Sequence, residues 1–297
     1  MMKFSMRGVA LAALLACGAT SAMAALSVSS AIGTGPVLFS DDSAERLIDR
    51  NANGRLDVGD SLRGIFSVGN ITSGGPSVAI GAGSGYNELT AIFQTLVLSK
   101  TLVTPPGPNQ RFNYTFGVDP AFAALNGAGV AAVLYDDPAQ NFRRQSCLPT
   151  NTFANCEASA TGGSLWAKLG PGAGGLWSAA GAVDTPGLGA FLPLSTPLGS
   201  FSIGLDFIVN NTGFAWSKVS CLDLTDFSFH LVDVCGQGGL LATGRSFGPL
   251  ANRTPTPYDI FNNVDFTANR VPEPGSMSLF ALALLGLGAS MRKRKAK

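Results

Sequence analysis

Phe201-Ser-Ile-Gly-Leu-Asp-Phe-Ile-Val209 alternates apolar with small or polar residues and stops at Asn210-Asn211-Thr212-Gly213. A period of two between turn-forming residues marks a half-buried strand, because successive side chains of an extended chain point to opposite faces. The same period runs through Arg111 to Val118 (RFNYTFGV) and through Asp226 to Val234 (DFSFHLVDV), where Phe227, Phe229 and Leu231 share one face. Leu89 to Val103 has apolar residues at helical spacing (Leu89, Ile92, Phe93, Leu96, Val97) but is rich in Thr, Ile and Val, and is read as a strand. The turn Thr104 to Asn109 would let it pair with residues 111–118 as a hairpin. Val130 to Tyr135, Leu165 to Leu169, Leu240 to Phe247 and Val264 to Thr267 bring the set to about eight strands. Together these patterns predict a mainly β, antiparallel sandwich or jelly-roll-like fold.

Around these strands the patterns are more mixed. Leu26 to Phe39 reads as an edge strand and linker, and Gly69 to Gly85 as a glycine-rich connector. Asp42 and Glu45 have capping-box spacing, which predicts one or two helical turns over Ala44 to Ile48. Ser61 to Phe66 suits a second apolar turn or a strand start, and Asp119-Pro120 predicts a short helix ending at Asn126-Gly127. Cys147 to Gly199 reads mostly as turns, with an island at Trp177 besides the strand at Trp166.

The motif with most chemistry inside this region is D-R-N-A-N-G-R-L-D-V-G-D, Asp49 to Asp60. Side-chain oxygens fall at loop positions 1, 3, 5, 9 and 12 (Asp49, Asn51, Asn53, Asp57, Asp60), glycine at 6 (Gly54) and an apolar residue at 8 (Leu56). Hard oxygens wrapping a hard cation, with the Arg55 carbonyl at position 7 and a glycine for the sharp turn, make a calcium-loop pattern. The stretch resembles the single loops of EF-hand and dockerin modules. It departs from them in having Asp60 where a bidentate Glu is usual and in lacking a second loop. The resemblance implies Ca²⁺ bound weakly, and the same residues also suit a polar turn without an ion.

Catalytic constellations are sparse. The single histidine, His230, lies two residues from Ser228, with no GxSxG motif to accompany the pair. Asp41-Asp42 and Asp136-Asp137 are paired acids of the kind a glycosidase uses, but they also suit caps and turns. GAGSGYNE (Gly81 to Glu88) echoes a phosphate loop without its lysine and reads as a linker. Trp166, Trp177, Trp216, Tyr86, Tyr114, Tyr135 and Tyr258 are either core residues or platforms for stacking on sugar rings.

The two ends carry addresses. Lys3 and Arg7, the apolar run Val9 to Ala16 and Ala22-Met23-Ala24 form a signal peptide over residues 1–24, with cleavage before Ala25. At the other end Val271-Pro272-Glu273-Pro274 precedes an apolar run from Gly275 to Met291 and a basic cluster from Arg292 to Lys297. A helix over about residues 275–292 is roughly 25 Å long, enough for a thin bilayer core, with the basic cluster held cytoplasmic. This order resembles the PEP-CTERM sorting signal, a domain also catalogued as the ice-binding protein C-terminal domain. The resemblance implies an exosortase-type membrane protease as partner. A plain membrane anchor with a stop-transfer cluster has the same layout.

The ends also disguise the charge of what lies between them. Of 20 basic and 19 acidic residues, seven basic ones and Glu273 belong to the ends, so residues 25–270 keep 13 basic and 18 acidic groups, a net of −5. That balance argues against nucleic acid or anionic lipid as the partner and is compatible with cation binding. Once Cys17 leaves with the signal peptide, Cys147, Cys156, Cys221 and Cys235 remain. Four cysteines in an oxidising compartment predict disulfides, and two short local loops predict the pairs 147–156 and 221–235.

The sequence therefore predicts a non-enzymatic, exosortase-processed ectodomain over residues 25–270 and a sorting signal over 271–297. Its precursor would be anchored in the inner membrane and its mature form would lie at the cell surface or in the matrix, associated with exopolysaccharide, biofilm or floc. A secreted carbohydrate-binding module and a secreted hydrolase are the alternatives.

Overall fold

The computed structural model describes residues 25–104, 110–142, 152–172, 175–183, 199–242, 260–272, 279 and 282–284. The signal peptide, Cys147, Tyr258, Glu273, Pro274 and most of the predicted tail helix lie outside them.

Fourteen strands are described: β1 (Gly35–Ile48), β2 (Ser61–Ser73), β3 (Val78–Ala79), β4 (Glu88–Leu102), β5 (Arg111–Val118), β6 (Ala132–Asp137), β7 (Ser164–Gly170), β8 (Leu176–Val183), β9 (Gly199–Asn210), β10 (Trp216–Ser217), β11 (Val219–Leu222), β12 (Phe229–Val232), β13 (Val234–Ala242) and β14 (Ile260–Arg270). Every strand pairing is antiparallel, so the mainly β antiparallel class holds. The hairpin β4–β5 and the strand β9 form as the sequence predicts.

Twelve strands form one sheet in the order β3-β2-β1-β14-β13-β9-β7-β6-β4-β5-β8, with β10 on β14, and the further pairings β2–β4 and β9–β8 close it on itself. The two layers expected of a sandwich are thus joined at both margins. The long strands make this possible: β4 pairs β6 along Glu88–Phe93 and β5 along Thr95–Leu102, while β9 pairs β8 and then β7 on the same side. A ring of eight strands, β13-β14-β1-β2-β4-β5-β8-β9, follows. An eight-stranded ring has an interior that side chains can nearly fill.

Several segments differ from their sequence patterns. Asp42 and Glu45 cap no helix, because Ala44 to Ile48 is the end of β1. Its backbone is paired on both sides, Glu45 opposite Ile260 and Gly64, so a helix would forfeit two ladders for one turn of internal bonds. Nor is Val37 to Phe39 an edge: it lies between β2 and β14, and only Leu26 to Ile32 precedes the sheet, as a bridge to Tyr86 and a 3-10 turn at Val28–Ala31. The connector at Gly69 to Gly85 is partly β2 and β3. The pattern at Asp226 to Val234 is split between β12 and β13. The turn-rich stretch contains helix α2 (Phe153–Ala160) as well as β7 and β8; α1 (Pro120–Asn126) is the helix predicted after Asp119.

The wall has two poles. Gly35, Arg270, Glu88 and Asp137 mark one, and Leu26 to Ile32 plugs it: Val28 donates its N–H to Asp136 Oδ2, Ser29 Oγ donates to the Thr212 carbonyl and accepts from Trp166 Nε1, and Arg270 Nη1 donates to the Ile32 carbonyl. Val28 and Ile32 are buried in the core. At the opposite pole β1, β4, β8 and β13 end and β2, β5, β9 and β14 begin. The wall is tightly built: a Cβ on Gly64 would stand 2.5 Å from Phe93 Cζ and 2.6 Å from the Ala44 carbonyl oxygen.

Candidate functional site

The predicted calcium loop joins two strands, not the two helices that flank an EF-hand loop. Its side chains are turned largely onto its own backbone. Asp49 accepts from the Asn51 and Gly54 N–H groups at 3.1 and 2.6 Å, and Asn51 and Asn53 accept from the Asn53 and Arg55 N–H groups at 3.1 and 2.8 Å. Gly54 has φ +74°, the left-handed conformation that its place in the motif calls for. Asn51 and Asn53 both donate to Asp57 Oδ2, and Lys100 Nζ reaches Asp57 Oδ1 at 2.7 Å. The Lys100 hydrogen bond, followed by that from Asn53, pulls the Asp57 carboxyl down from 3.8 to about 2.

Asp60 turns the other way. It is buried, and its two oxygens accept from the N–H groups of Arg50 (2.9 Å) and Asp57 (2.8 Å). The loop therefore brings Asn51, Asn53 and Asp57 together, closes Asp49 onto Gly54, and spends Asp60 on its own closure. The turn at Gly54 has the conformation the motif calls for, while the oxygens of Asp49, Asn51, Asn53 and Asp60 accept from the loop's own N–H groups. The ammonium of Lys100, 43 residues away, already occupies the Asp57 end. Among the described residues no cluster of three or more His, Cys, Asp or Glu is arranged as a metal site.

The other acids have local duties. Asp119 Oδ1 caps α1 by accepting from Ala121 and Phe122, and Oδ2 accepts from Ser61 at 2.6 Å. Burial pushes its carboxyl up, but hydrogen bonds from Ser61, Gln94 and that backbone bring it below the ordinary value. Asp136 holds Val28 of the plug and Asn87, and burial raises its carboxyl. Asp137 accepts from the Ala139 N–H. Ser228 Oγ and His230 Nε2 are 3.0 Å apart in the β11–β12 hairpin, and the Asp226 carboxylate accepts from the Ser228 backbone N–H.

Inside the ring lies a cavity of about 60 Å³. Phe93, Phe201, Ile203 and Phe266 are among its apolar lining, and Asp41, Ser43 and Glu45 of β1 point into it from one strand face. Phe207 stacks on Trp216 at 5.6 Å between ring centres. All three tryptophans, Trp166, Trp177 and Trp216, line this interior. Trp166 is buried in the core, and Trp177 and Trp216 are half-buried against it. Tyr114 is buried too.

Cys221 and Cys235 form the expected disulfide, with Cα atoms 5.4 Å apart. Cys156 is also disulfide-bonded, and its expected partner Cys147 lies outside the described residues. At the exit of the wall, Arg270 pairs with Gly35 and Trp216, and its guanidinium lies 3.5 Å from the centre of the Phe214 ring. Val271 donates its N–H to the Ala215 carbonyl at 2.9 Å and is half-buried, while Pro272 is exposed. Leu279 and Leu282 to Leu284 are helical and exposed. No helix among the described residues is long and apolar enough to cross a membrane.

A family profile described as the PEP-CTERM protein-sorting motif matches residues 270–295. Such signals are recognised by exosortase, a membrane enzyme, so the chain carries the address of an exported protein processed at the membrane. No curated protein and no solved structure matches the chain.

Proposed function

We propose that this protein is a non-catalytic component of the cell envelope or extracellular matrix. It is made as an inner-membrane-anchored precursor, trimmed by an exosortase, and associates with exopolysaccharide in biofilm or floc. The observation that carries this reading is where the sorting motif begins. Its profile starts at Arg270, the last residue of β14, so cleavage within or beyond Val271-Pro272-Glu273-Pro274 frees a closed sheet with its wall intact. The three tryptophans line the interior, which favours a structural role over a carbohydrate-binding module that would stack sugars on them.

Calcium belongs to the same proposal. Asp49, Asn51, Asn53 and Asp57 would hold it once Lys100 gives up Asp57, and the ion would stiffen the β1–β2 connection at the pole away from the sorting motif.

The deciding experiment compares the mass and location of the protein in cells with and without the exosortase, alongside a Glu273→Gln, Pro274→Ala variant. Trimming and release in the first case, with full-length membrane retention in the other two, is expected. Equal trimming in all three would show that the motif is only an anchor.

A further inference from the structure

One carboxylate oxygen at the plugged pole is buried without a donor. Asp137 is 2% exposed; its Oδ1 accepts from the Ala139 N–H at 2.8 Å, while Oδ2 finds no hydrogen-bond partner among the described residues. Capping the turn at Pro138 accounts for the first oxygen only, and a carboxylate oxygen taken from water without a partner is strongly disfavoured. Its neighbours add to the strain. Leu89 lines the cavity, so Glu88 and Asp137, directly opposite each other in the β4–β6 ladder, occupy the outer face. Both are buried, and like charges facing each other across a ladder repel. Glu88 Oε1 accepts from the Phe142 N–H at 2.9 Å.

Helix α2 ends over this pair. The last carbonyls of a helix have no partner within it and form the negative end of its dipole, and α2 has no basic residue in its last turn. Thr90 Oγ1, on the same outer face of β4, donates to the Ala160 carbonyl at 2.7 Å and fixes where the helix ends. The turn that follows is pressed against β6: a Cβ on Gly163 would stand 2.4 Å from the Asp136 carbonyl oxygen. At Gly162 the absent side chain leaves a cradle. A Cβ there would meet Asp137 Oδ2 at 3.0 Å, Asn141 Nδ2 at 3.7 Å and the Ser159 carbonyl oxygen at 3.8 Å. Three polar groups from β6, the connection after it and α2 thus surround one point, and a half-turn of the Asn141 amide presents its oxygen there.

We propose that a hard divalent cation of the calcium class binds at this cradle, held by the Asp137 and Glu88 carboxylates, the Ser159 carbonyl and the Asn141 side-chain oxygen. Only two carboxylates take part, and water completes a shell of about six to eight oxygens. The ion offsets the carboxylate pair and the helix end together. It joins β4, β6 and α2 beside the disulfide-bonded Cys156, at the pole opposite the Asp49 to Asp60 loop, and is independent of that loop.

The test melts the full chain in a mild detergent, in EDTA and in Ca²⁺, as the native sequence and as Asp137→Asn, Gly162→Ala and Asp57→Asn. Asp137→Asn keeps the acceptor for Ala139 and turns the orphan oxygen into a donor. In EDTA it should therefore melt at or above the native chain, and in calcium below it, with affinity at this site reduced about tenfold by the loss of a charged ligand. Gly162→Ala keeps both carboxylates but puts a methyl in the cradle, and should lose the same part of the calcium response. Asp57→Asn removes only the part that belongs to the loop. A response lost with Asp137→Asn and Gly162→Ala but kept in Asp57→Asn supports this site and refutes calcium at the loop. If Asp137→Asn shifts melting equally in EDTA and in calcium, its role is structural and the site is overturned. If calcium raises Gly162→Ala as far as the native chain, nothing binds at the cradle and the proposal fails, whatever the loop does.

Discussion

Asp57 gives the sharpest quantitative test, because its partners are known and its titration is displaced. Its carboxyl falls from 3.8 to about 2, chiefly through the hydrogen bond from Lys100 Nζ at 2.7 Å. That displacement corresponds to about 2 kcal/mol at 1.36 kcal/mol per pKa unit, and solvent screening of a part-exposed pair reduces it to about 1 kcal/mol. The sign follows from the direction. A depressed carboxylate stabilises fully above its unfolded value of 3.8 and loses that contribution as pH falls towards about 2. Asp57→Asn should therefore cost about 1 kcal/mol at pH 7, or ~2–4 °C of melting temperature. The gap should halve near about pH 3 and almost vanish at about pH 2. Lys100→Met should behave differently. It also removes a cation 4.7 Å from the Phe112 ring centre and 5.9 Å from that of Tyr114, a loss that does not titrate, so a residual deficit persists in acid. Urea denaturation of residues 25–272 in a chelator, at three pH values, measures both. A gap for Asp57→Asn that is absent at pH 7, or that does not narrow in acid, refutes the argument.

The calcium reading predicts that tenfold excess over Kd raises stability by about 1.4 kcal/mol, more readily in Lys100→Met than in the native chain and not in Asp49→Ala, Asp60→Ala; melting in EDTA, calcium and magnesium checks it. Gly64→Ala should lower the urea midpoint by the equivalent of about 1–3 kcal/mol, because the added methyl meets both a ring and a carbonyl. Replacing Cys221 and Cys235 together by alanine should cost about 2–3 kcal/mol on the chain-entropy account of their 14-residue separation, and should expose the hairpin to proteolysis. A chain ending at Pro272 should melt like the longer one, whereas one ending at Ala242 should lose the cooperative transition, read by circular dichroism.

The elements legible in the sequence are those whose alternation is apolar on the inward face. In β9, Phe201, Ile203 and Leu205 all turn to the cavity, so the period of two is also a period of hydropathy. β1 breaks that equivalence. Its inward positions run Val37, Phe39, Asp41, Ser43, Glu45, and once that buried face turns polar the Asp42/Glu45 spacing mimics a helix cap. Nothing local reveals the two ladders that keep it extended. α2 had a signal in Thr152, whose hydroxyl accepts from the Asn155 N–H, but the surrounding glycine and cysteine content concealed it. The oxygens of the Asp49 to Asp60 loop were legible because they are consecutive. Lys100, which decides what those oxygens do, was not, because it arrives from β4.

The position of β14 links fold to address. It is the last strand before the tail, yet it lies between β1, the first strand of the sheet, and β13, pairing with β1 from Arg270 opposite Gly35 to Ile260 opposite Glu45. Until residues 260–270 are available, β1 and β13 present facing unpaired edges, each a row of amide and carbonyl groups ready to take a foreign strand. The ring cannot close while those residues are still in transit. The four residues that follow, Val271 to Pro274, lead directly into the apolar run that begins at Gly275, so the closing strand and the sorting motif are adjacent in the chain. A cut upstream of Arg270 would shorten the closing strand itself. Placing the sorting motif at the end of the last wall strand lets processing downstream of Arg270 leave both ladders of β14 untouched.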